Sequence, residues 1–414
     1  MERTELARRV GAGSRADGPR DVIVEASQPG RFMADFGDAV AAGGTVFVAD
    51  PSWGAVERAQ LAALVQPLIA DPKLKIEKRE SEMGSGWLCL PTGGSSGALR
   101  WARHDQDTVA AAVQGFGEHF EVSQVSAIGV LPLHHVSGLM AWMRCTLTGG
   151  RYVPWDWTDL EAGRWPQIAA DNWFLSLVPT QLQRLLGRPE VADRLRRFRA
   201  IFIGGGPAWP DLLDRAADAG LPLAPGYGMT ETAAMVAALR PEEFLRGRRG
   251  CGSALPHAGL ILNEDGVIQI AAKSLFHGYY PDGRENVGAW STEDFGRFDE
   301  QGGLHVLGRR DAVIISGGKK IEPAEVEAVL QATGQFVDVA VVGVPDAEWG
   351  EAVVACYPAN TKEPDLASVA QCLARELAPH KRPKHYMPIT WLRNAQGKIN
   401  RSALTALARA TYRT

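Results

Sequence analysis

The hydrophobic pattern of this chain has two textures. Between residues 45 and 220, short apolar runs alternate with longer segments in which Ala and Leu recur at helical spacing. The short runs at 45–50, 87–90, 127–131, 173–178 and 200–204 are rich in Val, Ile, Leu, Phe and Trp and read as strands. The segments at 55–70, 105–120, 138–147, 180–187 and 210–219 read as helices. Strands alternating with helices predict α/β units around a mostly parallel sheet. Ahead of them lies an opening rich in Asp, Gly and Arg, to which no element is assigned.

From about residue 250 the runs shorten. Those at 259–262 and 266–271 read as the two strands of a hairpin, turning at Asn263-Glu-Asp-Gly266. Residues 312–414 read as a small, separate α+β domain, with helices at 322–332 and 366–377 and strands at 337–344 and 352–357. There is no internal repeat and no low-complexity tract.

Length and composition narrow the picture. A chain of 414 residues is long for one core and fits two domains or more. With 22% charged and 45% hydrophobic residues it reads as an ordinary globular protein, and a formal charge of −4 gives no reason to expect nucleic acid or an anionic membrane as partner. No apolar run approaches the roughly 20 residues of a membrane span, and the charged start, Met1-Glu-Arg-Thr-Glu, lacks the apolar core of a secretory signal. The five cysteines, Cys89, Cys145, Cys251, Cys356 and Cys372, are scattered without a Cys-x-x-Cys pair, so their spacing indicates neither a zinc site nor a disulfide framework. A reducing cytoplasm fits. Most of the twelve tryptophans sit in apolar contexts and read as packing.

Chemistry enters at residues 92–97. Thr92, Gly93, Gly94, Ser95, Ser96 and Gly97 follow the apolar run Trp87-Leu-Cys-Leu90, so a strand feeds a loop of glycines and hydroxyls. Glycines let several N–H groups converge on one anion and the hydroxyls add donors, which suits phosphate. No Gly-Lys-Ser/Thr closes the loop, so it is not a Walker sequence, and the first cation downstream is Arg100. A solvent-exposed Gly/Ser turn would read the same way.

Four further stretches carry candidate groups. Tyr227-Gly228-Met229-Thr230-Glu231 follows the Gly204-Gly205-Gly206-Pro207 turn; a threonine beside a carboxylate offers a phosphate donor and a Mg²⁺ ligand, although the same pair could open a helix. Asp294, in Trp290-Ser-Thr-Glu-Asp294, suits two ribose hydroxyls, and Arg309 could add a charged contact; a turn and a surface cation are the plain alternatives. Ile314-Ile-Ser-Gly317-Gly318 gives a strand and a double-glycine turn ahead of the helix that starts near Glu322. Lys398 follows Gly397 near the end of the chain.

In this order the stretches resemble the adenylate-forming superfamily of acyl-CoA synthetases, adenylation domains and luciferases, over Thr92 to Arg401. Within it the chain looks most like the o-succinylbenzoate–CoA ligases of menaquinone and phylloquinone biosynthesis. The pointers are the short chain, the loop form running into Ala98-Leu-Arg100, and Leu131-Pro-Leu-His-His-Val-Ser-Gly-Leu-Met140. The resemblance implies a large N-terminal α/β domain with a β-rich subdomain (1–308), a hinge at 309–311, and a small mobile α+β domain (312–414). It implies ATP, Mg²⁺ and CoA as cofactor and co-substrates and a small carboxylic acid as substrate; whether the protein is a monomer or homodimer stays open.

Carried over residue by residue, the resemblance gives the loop at 92–97 and Thr230 the phosphates, with Arg100 standing where relatives have Pro-Lys-Gly. Glu231 would bind Mg²⁺. Gly205 and Gly206, with Tyr227, would form the adenine slot, and Gly228 would bind ATP beside them. Asp294 and Arg309 would hold the ribose. Asp311 would be the hinge. Lys398 would stabilise charge as the carboxylate attacks the α-phosphate, and the Gly317-Gly318 loop would enter for the CoA step. His135 would wall the acyl site, with His134 a weaker candidate; Ser137, Arg144 and Arg184 are candidates to meet a second carboxylate. Asp346-Ala-Glu-Trp349-Gly350-Glu351 would support the second state, unless Trp349 merely packs.

The sequence departs from the pattern in places. Glu293 stands in Thr-Glu-Asp294 where Gly is usual, and Lys320 stands where Asn is common. Only about 90 residues precede the phosphate loop, which implies a trimmed first subdomain. Other readings are a ligase for another aryl or fatty acid, a free-standing adenylation domain, or a non-catalytic nucleotide-binding relative. The presence of Lys398, Asp294 and Glu231 argues against the last.

Overall fold

The computed structural model describes residues 1–11, 20–70, 86–92, 99–168, 171–281, 288–391, 399 and 401–412. Two sheets form its larger part. The first runs in the order Arg20–Val24, Gly43–Val48, Leu88–Thr92, Arg100–His104, Tyr279–Tyr280; its first three strands are parallel and the last two antiparallel. The second has seven strands, in the order Ser253–Ala254, Ala234–Ala238, Leu223–Met229, Ala200–Ile203, Phe174–Leu177, Ala127–Gly129, Tyr152–Pro154. Its last five are parallel, as the strand–helix alternation predicts.

Two helices separate these sheets. Helix Gln106–His119 starts at Asp105, whose carboxylate accepts the Asp107 and Thr108 N–H groups while the Thr108 hydroxyl accepts the Asp105 N–H, a reciprocal cap. Its Val109, Ala112 and Val113 pack with Val46, Leu88 and Leu90 of the first sheet, whereas Phe116 and Phe120 pack with Phe174 and Phe202 of the second. Helix Val136–Thr148 divides likewise, Leu139 and Met140 facing one core and Cys145 the other. A helix apolar on two faces is stable only between two layers. The outer face of the seven-stranded sheet is covered by helices Pro179–Leu186, Pro189–Leu195 and Pro210–Asp218, through Leu182, Leu185, Leu195 and Leu212.

The hairpin expected near 260 is present as Ala258–Leu262 and Val267–Ala272, with Asn263 Oδ1 accepting the N–H groups of Asp265 and Val267 across the turn. It belongs to a four-stranded antiparallel sheet completed by Trp290–Phe298 and Leu304–Arg309. After a single 3₁₀ turn, Arg310–Ala312, the chain builds a last sheet of Ile314–Ser316, Lys319–Ile321, Ala340–Asp346, Gly350–Pro358 and His385–Ile389. Helices Pro323–Ala332, Leu366–Glu376 and Arg401–Thr411 pack against it, and its two apolar clusters draw on residues after 313 alone. Among the described residues, no helix is long and apolar enough to cross a membrane.

Three local expectations are corrected. The opening left without elements contains helix Arg3–Arg9, strand Arg20–Val24 and helix Pro29–Ala41, the last packed through Phe32, Phe36 and Val40. The strand placed at 337–344 is Ala340–Asp346, and Val337 is 70% exposed. The double-glycine turn joins two strands, Ile314–Ser316 and Lys319–Ile321, before the helix begins.

Candidate active site

The groups singled out in the sequence gather where the strands of the seven-stranded sheet end. Gly205 and Gly206 follow strand Ala200–Ile203, and Tyr227 and Gly228 close the neighbouring strand Leu223–Met229, which runs on into a 3₁₀ turn, Thr230–Thr232. The carboxyl edge of a parallel sheet is where such folds bind ligands. Gly205 has φ +78° and both glycines are exposed, leaving backbone open at this edge. A Cβ at Gly228 would lie 1.9 Å from the Ala234 carbonyl, so this glycine lets strand Ala234–Ala238 fold back on its neighbour.

Glu231 stands at the junction of the two large sheets. Its carboxylate Oε1 accepts the Tyr279 hydroxyl at 2.6 Å, and its carbonyl accepts the Phe276 N–H at 2.8 Å. Tyr279 pairs with Ala102, one strand away from Thr92, which pairs with Arg100. The Arg100 guanidinium lies 4.6 Å from the centre of the Tyr279 ring. Thr92, Arg100, Tyr279 and Glu231 therefore occupy one corner. A half-buried carboxylate with one oxygen oriented by a tyrosine suits Mg²⁺, which takes one or two carboxylates and otherwise waters and nucleotide phosphates.

His104 fixes the same turn from behind. It is fully buried, with Nε2 2.8 Å from the Thr230 carbonyl and Nδ1 3.2 Å from Thr108 Oγ1. Burial pushes its pKa down to about 4, so the ring is neutral and Nε2–H donates to Thr230. Neither His104 nor Tyr279 was singled out in the sequence. The signals available were a polar residue ending the strand after the phosphate loop and a tyrosine pair between Gly278 and Pro281.

A second corner assembles around Asp294. The Tyr227 hydroxyl donates to Asp294 Oδ2 at 2.7 Å, and Arg309, directly opposite in the antiparallel ladder, brings Nη1 to 3.6 Å from Oδ1. Asp294 is 8% exposed, and its N–H donates to the Thr292 hydroxyl. Burial, then the Asp294 charge, drives the Tyr227 phenol far above its ordinary pKa, so it stays a donor at any physiological pH.

Other candidates fare differently. His135 is the N-cap residue of helix Val136–Thr148 with His134 beside it, their ring centres 4.3 Å apart. Arg144 is buried with its guanidinium 4.3 Å from the centre of the Phe116 ring, between the sheets, and Arg184 is an exposed partner of Glu161 at 3.3 Å. Arg184 thus belongs to the outer helix layer and does not join the site. Thr230–Thr232 is a single 3₁₀ turn, so the alternative in which Thr230-Glu231 opens an α-helix does not hold.

Beyond the 3₁₀ turn at 310–312, Gly317 and Gly318 form the hairpin tip with φ +56° and +73°. The Asp346–Glu351 stretch braces that tip. Asp346 Oδ1 accepts the Glu348 and Trp349 N–H groups, Trp349's carbonyl accepts the Gly317 N–H at 2.8 Å, and Glu351 Oε2 accepts the Ile315 N–H. Trp349 carries the Lys384 ammonium 4.3 Å above its ring, so the tryptophan both packs and supports the glycine turn. At the end of the chain, Arg401 forks onto Glu327, Nη1 to Oε1 at 2.7 Å and Nη2 to Oε2 at 2.5 Å. Arg310 forks onto Glu293 beside the connection. Gly93, Gly94, Ser95, Ser96, Gly97, Lys398 and the Asp311 side chain lie outside the described residues.

The chain matches the AMP-binding enzyme family over residues 39–280 and the AMP-binding enzyme C-terminal domain over residues 325–396. It belongs to the AMP-binding enzyme family. It is 33% identical over 341 residues to the 2-succinylbenzoate–CoA ligase of Geobacillus kaustophilus, covering 78% of this chain and 69% of the relative. Against the enzyme of the same name from Enterococcus faecalis it is 30% identical over 338 residues, 78% of this chain and 70% of the relative. Among solved structures, the o-succinylbenzoate CoA synthetase of Bacillus subtilis in complex with its acyl-adenylate intermediate superposes with a TM-score of 0.78 at 22% identity, covering 97% of this chain and 92% of that one. ATP-bound MatB of Rhodopseudomonas palustris gives 0.78 at 22% identity, with 99% and 92% covered, so these likenesses carry the fold alone.

Proposed function

We propose that the protein is an AMP-forming acid–CoA ligase that converts o-succinylbenzoate, ATP and CoA to o-succinylbenzoyl-CoA, AMP and pyrophosphate. The substrate reading is supported by the likeness to 2-succinylbenzoate–CoA ligases over more than three quarters of the chain. The chemistry is supported by one observation above all: Thr92, Arg100, Tyr279 and Glu231 converge on one corner of the sheet edge that also holds Tyr227, Asp294 and Arg309.

On this reading Glu231 holds Mg²⁺, which supplies charge neutralisation at the phosphates. Thr92, the glycine–serine loop and Thr230 hold the phosphate oxygens by N–H and O–H donation, and Arg100 adds its charge. Gly205, Gly206, Tyr227 and Gly228 border the base, and Asp294 with Arg309 takes the ribose hydroxyls. A carboxylate oxygen of the acid attacks the α-phosphorus, the α–β bridging bond breaks and pyrophosphate leaves with the electron pair. Lys398 stabilises the charge on the α-phosphate in that step. Then the thiol sulfur of CoA, losing its proton, attacks the acyl carbon and AMP leaves. The residues after 311 act as a mobile unit that carries Lys398 in one step and the Gly317-Gly318 tip in the next.

The test is formation of the thioester from o-succinylbenzoate, ATP and CoA by purified protein, followed through AMP release and ATP–pyrophosphate exchange. Exchange with o-succinylbenzoate is expected to exceed that with benzoates or fatty acids by at least about tenfold. Exchange with another acid class and none with o-succinylbenzoate would refute the substrate reading, whereas no exchange with any acid would refute the ligase reading.

A further inference from the structure

Two residues past strand Gly43–Val48, the loop carries Asp50, a carboxylate only 5% exposed. Its Oδ1 accepts both the N–H of Ser52 at 2.8 Å and the Ser52 hydroxyl at 2.7 Å. Those two bonds fix the carboxylate plane and leave Oδ2 turned toward the start of helix Val136–Thr148, where His135 brings its Nε2 to 3.9 Å. His134 Nε2 lies 3.4 Å from Oδ1. The three ligand atoms that can be drawn from Asp50, His134 and His135 all lie within 4.8 Å of one another. His134 is 7% exposed, and its Nε2 is buried and makes no hydrogen bond. A buried polar atom aimed at a carboxylate without a hydrogen bond calls for a further group between them.

Two imidazole nitrogens and a carboxylate are the donor set of a divalent transition metal. With metal–ligand distances of about 2.1 Å, tetrahedral ligand atoms sit roughly 3.4 Å apart. His134 Nε2 already stands at that distance from Oδ1, and His135 Nε2 lies 3.9 Å from the other oxygen, Oδ2, so the two imidazoles face the two oxygens of one carboxylate, an approach that suits a carboxylate turning both oxygens toward one ion. The Ser52 donors supply the outer hydrogen bonds that orient a ligating carboxylate.

We propose that Asp50, His134 and His135 form a three-ligand site for a divalent transition ion of the Zn²⁺ class, with the fourth position open to water or a small ligand. Nitrogen donors select this class over Mg²⁺ and Ca²⁺, which prefer oxygen, so the site is chemically distinct from the Glu231 corner. It accounts for a histidine pair ahead of the helix whose side chains do not serve as its cap. The proposal does not depend on the identity of the acyl substrate.

The experiment uses the full, untagged chain, freed of metal by chelation and titrated with Zn²⁺ by calorimetry in the presence of excess Mg²⁺. One equivalent is expected to bind with a Kd of micromolar or below, and binding should weaken by about tenfold or more in H134Q and in D50N while H385Q, at an exposed histidine, binds as the parent does. Circular dichroism and melting curves establish that the variants fold. Wild-type protein loaded with Co²⁺ gives a reading that needs no variant: an intense visible band of a four- or five-coordinate ion, abolished by one equivalent of Zn²⁺. Absence of saturable Zn²⁺ binding, binding unchanged in H134Q, or a weak six-coordinate Co²⁺ spectrum would each overturn the site.

Discussion

Tyr279 illustrates how much of the candidate site depends on residues that touch other residues rather than ligand. Its hydroxyl holds one oxygen of Glu231 while its ring lies under Arg100, so one side chain sets both an anionic and a cationic group. A hydrogen bond to a charged group is worth about 1.5–3 kcal/mol. Tyr279→Phe should therefore raise the KM for Mg·ATP in pyrophosphate exchange about tenfold while leaving the fold intact; a KM within twofold of the parent would show that Glu231 is held by other means. Individual residues with chemistry of their own were legible as candidates in the sequence, and the fold brings Thr92 near Glu231 and Asp294 opposite Arg309. Tyr279 and His104 were not, because each acts through a contact to a residue 48 or 126 positions away. Only the fold brings such pairs together.

The elements themselves followed from periodicity wherever one apolar face or run was continuous. Helices at 55–70 and 210–219 and the hairpin near 260 differ from expectation by a residue or two at most. Local pattern hid strand Arg20–Val24, whose five residues begin with two charged side chains: Asp21 is buried by accepting the Thr45 N–H at 2.6 Å, a pairing with a residue 24 positions away. It also hid the second strand of the 314–321 hairpin, Lys319–Ile321, because two lysines mask an edge strand. That hairpin yields a prediction at the same scale. Trp349 holds the Gly317 turn through its carbonyl and its ring, and a Cβ on Gly317 would come 3.3 Å from that ring. Trp349→Ala should loosen the tip and slow thioester formation from pre-made adenylate about tenfold, with less than a threefold effect on adenylate formation. Equal losses in the two half-reactions, measured separately, would remove the hairpin from the CoA step.

At the scale of the whole molecule, stability rests on layers held apart by buried helices, and two of the histidines locked into those layers are kept neutral. Burial pushes His104 and His257 down to about 4 each, the latter with help from the nearby Arg144 charge. An unfolded histidine titrates near 6.5. Between these values the unfolded chain binds more protons than the folded one, so stability falls as pH drops from about 6.5 toward 4. The loss is about 2 kcal/mol per histidine between pH 7 and pH 5, before any relaxation of the fold. Urea midpoints should drop accordingly across that interval, and a flat profile would mean that these rings reach water or a partner in the folded state. The layered α/β class was visible in the strand–helix alternation. The interleaving of two sheets around shared helices was not, since nothing local says which two layers a doubly apolar helix divides.

The bond between Tyr227 and Asp294 has a consequence for how nucleotide recognition responds to change. One group borders the proposed base slot and the other the proposed sugar position, yet at 2.7 Å and in a buried setting they form a single thermodynamic unit. Removing either leaves the other mispaired, so the second removal has less left to lose. The losses in ATP affinity for Tyr227→Phe and Asp294→Asn should exceed that of the double variant when summed, by a coupling on the order of 1 kcal/mol. Strict additivity would separate base from sugar. Coupling means that the pocket reads a nucleoside as one object, and that a change confined to either half of the ligand is felt in the other.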